Sequence, residues 1–322
     1  MPMIRAMRLL NAVEAGTTNG TQLESLLTTD PGRLAEWNVL LGMRGQARRM
    51  AASSTAMAAV IASSTAMAAV AASSTAMAAV AASSTAMAAI YASPTAVAAI
   101  LGSSVFAAYA PHSGRLVLSG SNVTQWSDAS GNARHMVQPT AANQPLYSGV
   151  TANGYTTVAF DGSNDYLYTS ASHAMPADVT VYIVRRKVST GNYGLVGTNS
   201  TNTAGGVIEN GSSLYIDYSG GAGSYPLAVN TAATTWELLR VRNTGTSTWG
   251  RRNAGAEVTT SADLLFGTVA LSLGRTNDTD GLGDVYLNGQ IAEVIILGKN
   301  AATGDADDAR ITAMLRTKYA LW

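Results

Sequence analysis

Residues 51–100 run AASSTAMAAV, IASSTAMAAV, AASSTAMAAV, AASSTAMAAI and YASPTAVAAI, five decapeptides in tandem. A tandem repeat is read before any single element, because one short unit cannot bury its own apolar face and needs its neighbours. The large side chains recur in register: Met57, Met67, Met77 and Met87, each followed three residues on by Val60, Val70, Val80 or Ile90. Alanine favours helix over strand. No charged residue stands between Arg49 and Arg115.

A ten-residue period does not suit a straight α-helix. Ten steps of about 100° fall roughly 80° short of three turns, so the Met/Val stripe would wander around the rod. Holding it on one seam needs about 3.3 residues per turn, tighter than the roughly 3.5 of a heptad coiled coil. The other solution breaks the helix once per unit. Pro94 bears on the choice, because it follows Ser93 and replaces the second serine of the unit. An N-cap followed by a first-turn proline belongs there. The favoured reading is a series of short helices begun at Ser53, Ser63, Ser73, Ser83 and Ser93, with a continuous overwound coiled coil close behind. A disordered Ala/Ser linker is the third reading; the held register and the scarcity of Gly, Pro and charge count against it. A methionine every ten residues predicts a dry seam between sister chains, hence a homo-oligomer, with a homotrimer as the expected state. As one helix, the array would reach about 75 Å and serve as a spacer.

Upstream, residues 1–50 read as a helical attachment and oligomerisation segment. Met3 to Val13 carries apolar residues at helical spacing and stops at Gly16. Thr21-Gln22-Leu23-Glu24 has the spacing of a capping box, and Asp30-Pro31 that of an N-cap with a first-turn proline. Residues 51–102 form the stalk, and Leu101 to Phe106 resembles a decayed sixth repeat.

Residues 103–322 change character to Gly, Asn, Thr and Tyr with short alternating apolar runs. Thr156–Phe160, Val179–Arg186, Leu195–Thr198, Leu214–Tyr218, Trp236–Val241, Val269–Leu273 and Ile291–Leu297 read as strands. Asn210-Gly211 is a two-residue hairpin signal, and Asn288-Gly289 marks another turn. Many short strands between turn signals imply a β-sandwich. The last twenty residues read as a helix with Asp305, Asp307 and Asp308 at its start and Arg316 and Lys318 near its end. Its stripe of Ile311, Met314, Leu315 and Tyr319 is expected to dock on the sandwich. The fold class is therefore mostly β, preceded by helices.

Composition removes several functions. Among 322 residues, 20 basic and 20 acidic side chains cancel, which argues against a nucleic-acid binder. There is no Cys, and only three His, so disulfides, thiolate metal sites and a multi-His centre are excluded. The N-terminus lacks a signal-peptide pattern, and no run of about 18 apolar residues exists to span a membrane.

Several segments carry a family resemblance. They are Val123-Thr124-Gln125-Trp126-Ser127-Asp128-Ala129-Ser130-Gly131-Asn132, Ala142-Asn143-Gln144-Pro145 and Phe160-Asp161-Gly162-Ser163-Asn164-Asp165-Tyr166-Leu167. To these are added Asn288-Gly289-Gln290-Ile291-Ala292-Glu293-Val294-Ile295 and Leu315-Arg316-Thr317-Lys318-Tyr319-Ala320-Leu321. Together, from Ser121 to Trp322, they resemble a laminin-G/concanavalin A-like lectin domain, a fold that hosts lectins, glycosidases and structural modules alike. With the helical module and the decapeptide array in front, the whole resembles a bacteriophage tail fibre or receptor-binding protein. That resemblance implies a homotrimer made in the host cytoplasm and carried on the virion. Its N-terminus would join other tail or baseplate proteins, and its C-terminal domain would adsorb to host surface glycan.

The candidate chemistry is binding. Glycan recognition uses aromatic faces beside planar polar groups. Tyr193, Tyr215, Tyr218 and Tyr225 cluster in the Gly/Ser/Asn-rich stretch 190–226, and Trp249 stands near Arg251 and Arg252. Calcium is the one cofactor considered. Asp128, Asn132, Asp161 and Asp165 could ligate it as in some laminin-G domains, although Asp128 and Asp161 also suit Asx turns. Asp278 and Asp280 sit in a stretch like the middle of a calcium loop, but an EF-hand register would put Leu287 where a Glu belongs. Catalysis is not expected. The laminarinase-like pattern Glu-x-Asp-x-x-Glu is absent around Glu209, Glu237, Glu257 and Glu293, and retaining hydrolysis needs two carboxyl groups about 5 Å apart. The expected function is thus multivalent glycan binding by a fibre protein. The alternatives are a structural virion or decoration protein and, third, a glycan hydrolase on the same fold.

Overall fold

The computed structural model describes residues 2–111, 114–198, 206–217, 224–231, 234–261, 267–276 and 284–322. The chain divides into two compact units. One comprises Met1–Ser103 with Thr303–Ala320, the other Ser104–Ala302 with Leu321–Trp322.

In the helical unit, the decapeptides form separate short helices: α5 (Ser54–Ile61), α6 (Ser64–Ala72), α7 (Ser74–Ala81), α8 (Ser84–Ala92) and α9 (Pro94–Leu101). Each begins where the repeat places its first serine. Ser53, Ser63, Ser73, Ser83 and Ser93 accept the amide of the residue three positions on, and Pro94 occupies the first turn of α9. Consecutive axes turn sharply, by 106° from α5 to α6 and 97° from α7 to α8. Three such turns nearly close a circle, so helices three apart meet: α5 packs on α8 and α6 on α9. The array is a coil with three helices per turn, and the straight, continuous coiled-coil stalk is not formed.

This geometry decides where the methionines go. Met57, Met67, Met77 and Met87 are buried, as are Val60, Val70, Val80 and Ile90, all against helices of the same chain. The cover that the sequence reading assigned to sister chains is therefore supplied internally. Helices of eight or nine residues are marginal alone in water, so each exists because its neighbours cover its apolar side.

Residues before the repeat continue the coil. α1 (Pro2–Glu14), α2 (Gly20–Thr29), α3 (Pro31–Gly42) and α4 (Arg44–Ala52) precede it. α2 packs on α5, α3 on α6 and α4 on α7. α4 is a disguised repeat unit: it starts ten residues before α5, and its Ala47 and Met50 are buried at the positions of Met57 and Val60. Asp30 caps α3 as its sequence predicts. The capping box on α2, however, is Asn19 with Gln22, two residues before the expected one, and Glu24 does other work.

Two expectations at the far end are corrected. Leu101 to Phe106 is no sixth repeat, because Gly102 ends α9 at φ 97° and Val105 opens a strand. The C-terminal helix α10 (Ala306–Tyr319), expected to dock on the sandwich, is capped by Asp305 and belongs to the helical unit, where it packs on α7 and α9, the neighbours a further repeat helix would have. Its buried Lys318 lies 4.8 Å from the ring centroid of Tyr91, the residue by which the last repeat departs from alanine. Arg310 Nε donates to the Ile100 carbonyl at 2.5 Å, closing the C-terminus of α9. The β unit is thus an insertion between two consecutive helices of the coil.

The β unit is a two-layered β-sandwich, its strands numbered along the chain. One layer runs β5 (Leu146–Ala152), β6 (Tyr155–Asp161), β21 (Asn288–Leu297), β9 (Asp178–Lys187), β14 (Glu237–Thr244), β15 (Thr248–Arg252), β16 (Val258–Thr260). β1 (Val105–Tyr109) pairs with the end of β21 beyond β6. The other layer runs β2 (Leu116–Ser119), β3 (Asn122–Trp126), β4 (Met136–Val137), β7 (Leu167–Thr169), β18 (Leu271–Leu273). It continues through β10 (Gly191–Thr198), β11 (Gly206–Gly211), β12 (Ser213–Asp217) and β13 (Ser224–Asn230). The pair Asn122 and Leu146 links the layers at one edge. Two small antiparallel pairs stand apart, β8 (His173–Ala174) with β17 (Thr268–Val269), and β19 (Arg275–Thr276) with β20 (Val285–Tyr286).

Alternation sends Val181 and Ile183 from one layer and Leu195, Leu214 and Leu273 from the other into one core around Trp126 and Tyr109. The hairpin at Asn210 turns on Gly211 and Ser212, one residue later than read, with Gly211 at φ 63°. Asn288-Gly289 is no turn but the start of β21. A Cβ at Gly289 would lie 2.3 Å from the Arg186 carbonyl oxygen, so glycine there lets β21 close on β9.

Candidate functional site

Tyr166 and Tyr168 flank Leu167, and strand alternation separates them from it. Leu167 is fully buried, while Tyr168 on β7 and Tyr166 just before it are half-buried on the opposite face. Their rings stack at 5.8 Å between centroids, and Tyr286 on β20 joins at 6.3 Å from Tyr166. Arg275, paired in register with Tyr286, lays its guanidinium 4.6 Å from the Tyr166 ring centroid. Asp284 holds that guanidinium at 2.7 Å and accepts the Tyr286 hydroxyl at 3.2 Å. Burial pushes the Tyr286 hydroxyl above its ordinary range against the pull of Arg275, so it stays a protonated donor.

The backbone under these rings is tightly held. Tyr166 N–H donates to the Asn143 carbonyl at 3.2 Å, and the Gln138 amide donates to the Tyr166 carbonyl at 3.0 Å. Gln144 in turn donates to the Gln138 carbonyl at 2.8 Å. Asp161 Oδ1 accepts the amides of Ser163 and Asn164, an Asx turn that aims the chain into β7. Asp165 accepts the Asp161 amide at 3.0 Å; burial first, and the Asp161 charge second, raise its carboxyl to about 6. The result is a cluster of three rings with a guanidinium over Tyr166 and a carboxylate beside it, on a fixed frame.

The residues singled out from sequence are scattered. Tyr193 is buried in the core and shares its hydroxyl with Ser189 at 2.8 Å. Tyr215 is half-buried on β12, Tyr225 lies on β13, and Tyr218 falls outside the described residues. Trp249 and Arg251 share the outer face of β15, and the Arg242 guanidinium sits 3.9 Å from the Trp249 ring centroid. Arg252 points the other way, to Glu237 at 2.5 Å and the Asn230 carbonyl at 2.9 Å. It also borders a depression of about 360 Å³ with Asn230 and Asn253. Sequence reasoning passed over Tyr166, Tyr168, Arg275 and Tyr286. The spacing of Tyr166 and Tyr168, two apart around a leucine, was the available signal for a shared outer face.

The carboxylates are mostly occupied. Arg185 pairs with Glu209 and, at 3.0 Å, with Glu237, all buried; Lys187 approaches Glu209 at 3.7 Å. Glu257 bridges Arg240 and Arg242. Asp128 accepts the amides of Ala108 at 3.0 Å and Ser130 at 2.9 Å, the latter its Asx turn. Asn132 donates to the carbonyls of Val105 and Phe106, which ties the loop to β1. Asp278 and Asp280 lie outside the described residues. Among the described residues no group of three or more His, Cys, Asp or Glu gathers as a metal site.

No protein-family model matches the chain, and no curated protein does. Solved structures do. The botulinum neurotoxin type G receptor binding domain is similar at 8% identity and TM-score 0.46, over 64% of this chain and 51% of its own. A botulinum neurotoxin type C structure, described by cell entry through two ganglioside molecules, gives 10% and 0.48 over 67% and 53%. Trypanosoma rangeli sialidase in complex with sialic acid gives 10% and 0.46 over 67% and 33%. The chain spans about half the length of the two toxin structures and a third of the sialidase.

Proposed function

We propose that the β unit binds glycan through Tyr166, Tyr168 and Tyr286, without catalysis. One observation carries this reading: three half-buried rings cluster with an Arg275–Asp284 pair, aromatic surface beside planar hydrogen-bonding groups. A sugar ring offers the complement, C–H faces for the tyrosines and hydroxyls for the pair. The absence of catalysis is supported by Glu209, Glu237 and Glu257, each bound to arginine and so poorly placed to transfer protons.

The test is a glycan array probed with the full chain, followed by titration of any hit. Tyr166→Ala and Tyr286→Ala should each weaken binding about tenfold or more, a loss of about 1.4 kcal/mol, with an unchanged melting temperature. Binding that survives both substitutions would move the site elsewhere. Reducing ends released from a bound polysaccharide would replace binding by hydrolysis.

The finer reading, a phage receptor-binding protein, is part of the same proposal and is supported by the arrangement of helical module, decapeptides and lectin-like domain. The helical unit is then the attachment module on a virion, and the sandwich the part that meets the host. Three-fold assembly is supported by that resemblance rather than by the methionines. Mass measurement of the purified protein and labelled images of the particle test both.

A further inference from the structure

Glu24, on α2, sits over the N-terminus of α6. Its carboxylate accepts Ser63 Oγ at 2.5 Å, Ser64 Oγ at 3.0 Å, Thr65 Oγ1 at 2.8 Å and the Thr65 amide at 3.0 Å. The Ser-Ser-Thr that opens this decapeptide is therefore an anion cradle, shown in use by a carboxylate of the chain itself. First-turn amides are free by position and carry the positive end of the helix dipole, and the three hydroxyls add donors.

One repeat later the same tripeptide, Ser73-Ser74-Thr75, opens α7. Among the described residues, no acidic side chain lines this second cradle. Ser74 and Thr75 instead border a cavity of about 510 Å³ together with Thr317 and two arginines, Arg44 and Arg48. The arginines stand one turn apart on α4, which packs on α7, and neither has an ion-pair partner among the described residues. One donor differs from the occupied cradle: the Ser73 hydroxyl is committed to the Leu41 carbonyl at 3.3 Å. Two guanidiniums, with five N–H donors each, more than replace it.

We infer that this cavity is an anion site, which takes a carboxylate or phosphate group where the earlier repeat takes Glu24. Arg44 and Arg48 supply the charge, and Ser74, Thr75 and the first turn of α7 fix the oxygens. The site is separate from the tyrosine surface and stands whether or not that surface binds sugar.

The experiment measures the melting midpoint of the full-length protein in chloride, acetate and inorganic phosphate at constant ionic strength. A saturable rise is expected with phosphate, acetate or both. Phosphate alone identifies a phosphate site, acetate alone a carboxylate site, and both the shared oxyanion chemistry. In Arg44→Gln/Arg48→Gln, whose exposed side chains can change without disturbing the helices, apparent affinity should fall at least tenfold at unaltered helix content. Thr75→Val, with both arginines kept, should give a second, independent loss. A midpoint indifferent to both anions, or a response that survives these substitutions, overturns the assignment.

Discussion

The Ser83 hydroxyl donates to the Ala51 carbonyl at 2.7 Å while accepting the Ala86 amide at 3.2 Å. One side chain thus starts α8 and fastens it to the end of α4, in the previous turn of the coil. Ser73 does the same between Ala76 and Leu41. Serine suits the third position of the unit because it can donate and accept at once, as Ser63 also does between Glu24 and Ala66, while Ser53 and Ser93 serve as caps.

Ser83→Ala should therefore cost about 1–2 kcal/mol, the range of a lost N-cap, as measured by urea unfolding. Ser84→Ala, at an exposed position one residue on, should stay within about 0.5 kcal/mol. Equal costs at the two positions would show that the hydroxyl does not bridge the turns.

Met67→Ala or Met87→Ala should lower stability by about 2–5 kcal/mol, because both side chains are buried among packed helices. The loss should appear in the helical signal of the whole array, since no helix of this length stands alone.

Glu24 gives the helical unit an acid-sensitive joint. Hydrogen bonds from Ser63 and the Thr65 amide lower its carboxyl from 4.5 to about 2. A depressed carboxyl contributes stability above its unfolded value, and that contribution disappears as pH falls from about 4.5 toward 2. Glu24→Gln should flatten the fall over this window in a pH series of unfolding midpoints.

Asp165 has the opposite sign. With its carboxyl raised to about 6 from 3.8, the native state holds the proton more tightly, so stability declines as pH rises from about 4 to 6 and is level above. Asp165→Asn keeps an acceptor for the Asp161 amide and should remove that decline. A carboxyl titration by NMR checks the midpoint directly.

Arg185 holds two buried carboxylates, and replacing it leaves Glu209 to Lys187 at 3.7 Å and Glu237 to Arg252. Arg185→Met should cost about 3–5 kcal/mol by thermal or urea unfolding. A neutral outcome would mean that Lys187 and Arg252 compensate.

Much of this fold is written in local pattern. Ser-Pro in the fifth decapeptide identified broken helices, and alternation located strands such as β9 and β21, whose apolar runs are long. What local pattern does not carry is who covers whom. The methionine register is equally consistent with a partner chain and with a chain that coils on itself, because the sharp axis turns, 106° at Ser63 and 97° at Ser83, leave no mark in periodicity. The apolar stripe of α10 likewise says that it docks, not on what. The proposed binding surface was hidden for a related reason. Tyr166, Arg275 and Tyr286 come from separated segments, and only the pairing of β7, β18 and the β19–β20 ribbon assembles them. Aromatic density along 190–226 pointed instead to Tyr193, a core residue.

The three-helix turn of the coil has a geometric corollary. Inserting or deleting one decapeptide would swing the point where the chain leaves for the β unit by about a third of a revolution relative to α1–α3. Gain of three would restore the bearing and only lift it by one helix thickness, about 8–10 Å. Recombination among near-identical decapeptides offers a ready means of making such length variants, whose exit points would fall at just three bearings around the coil.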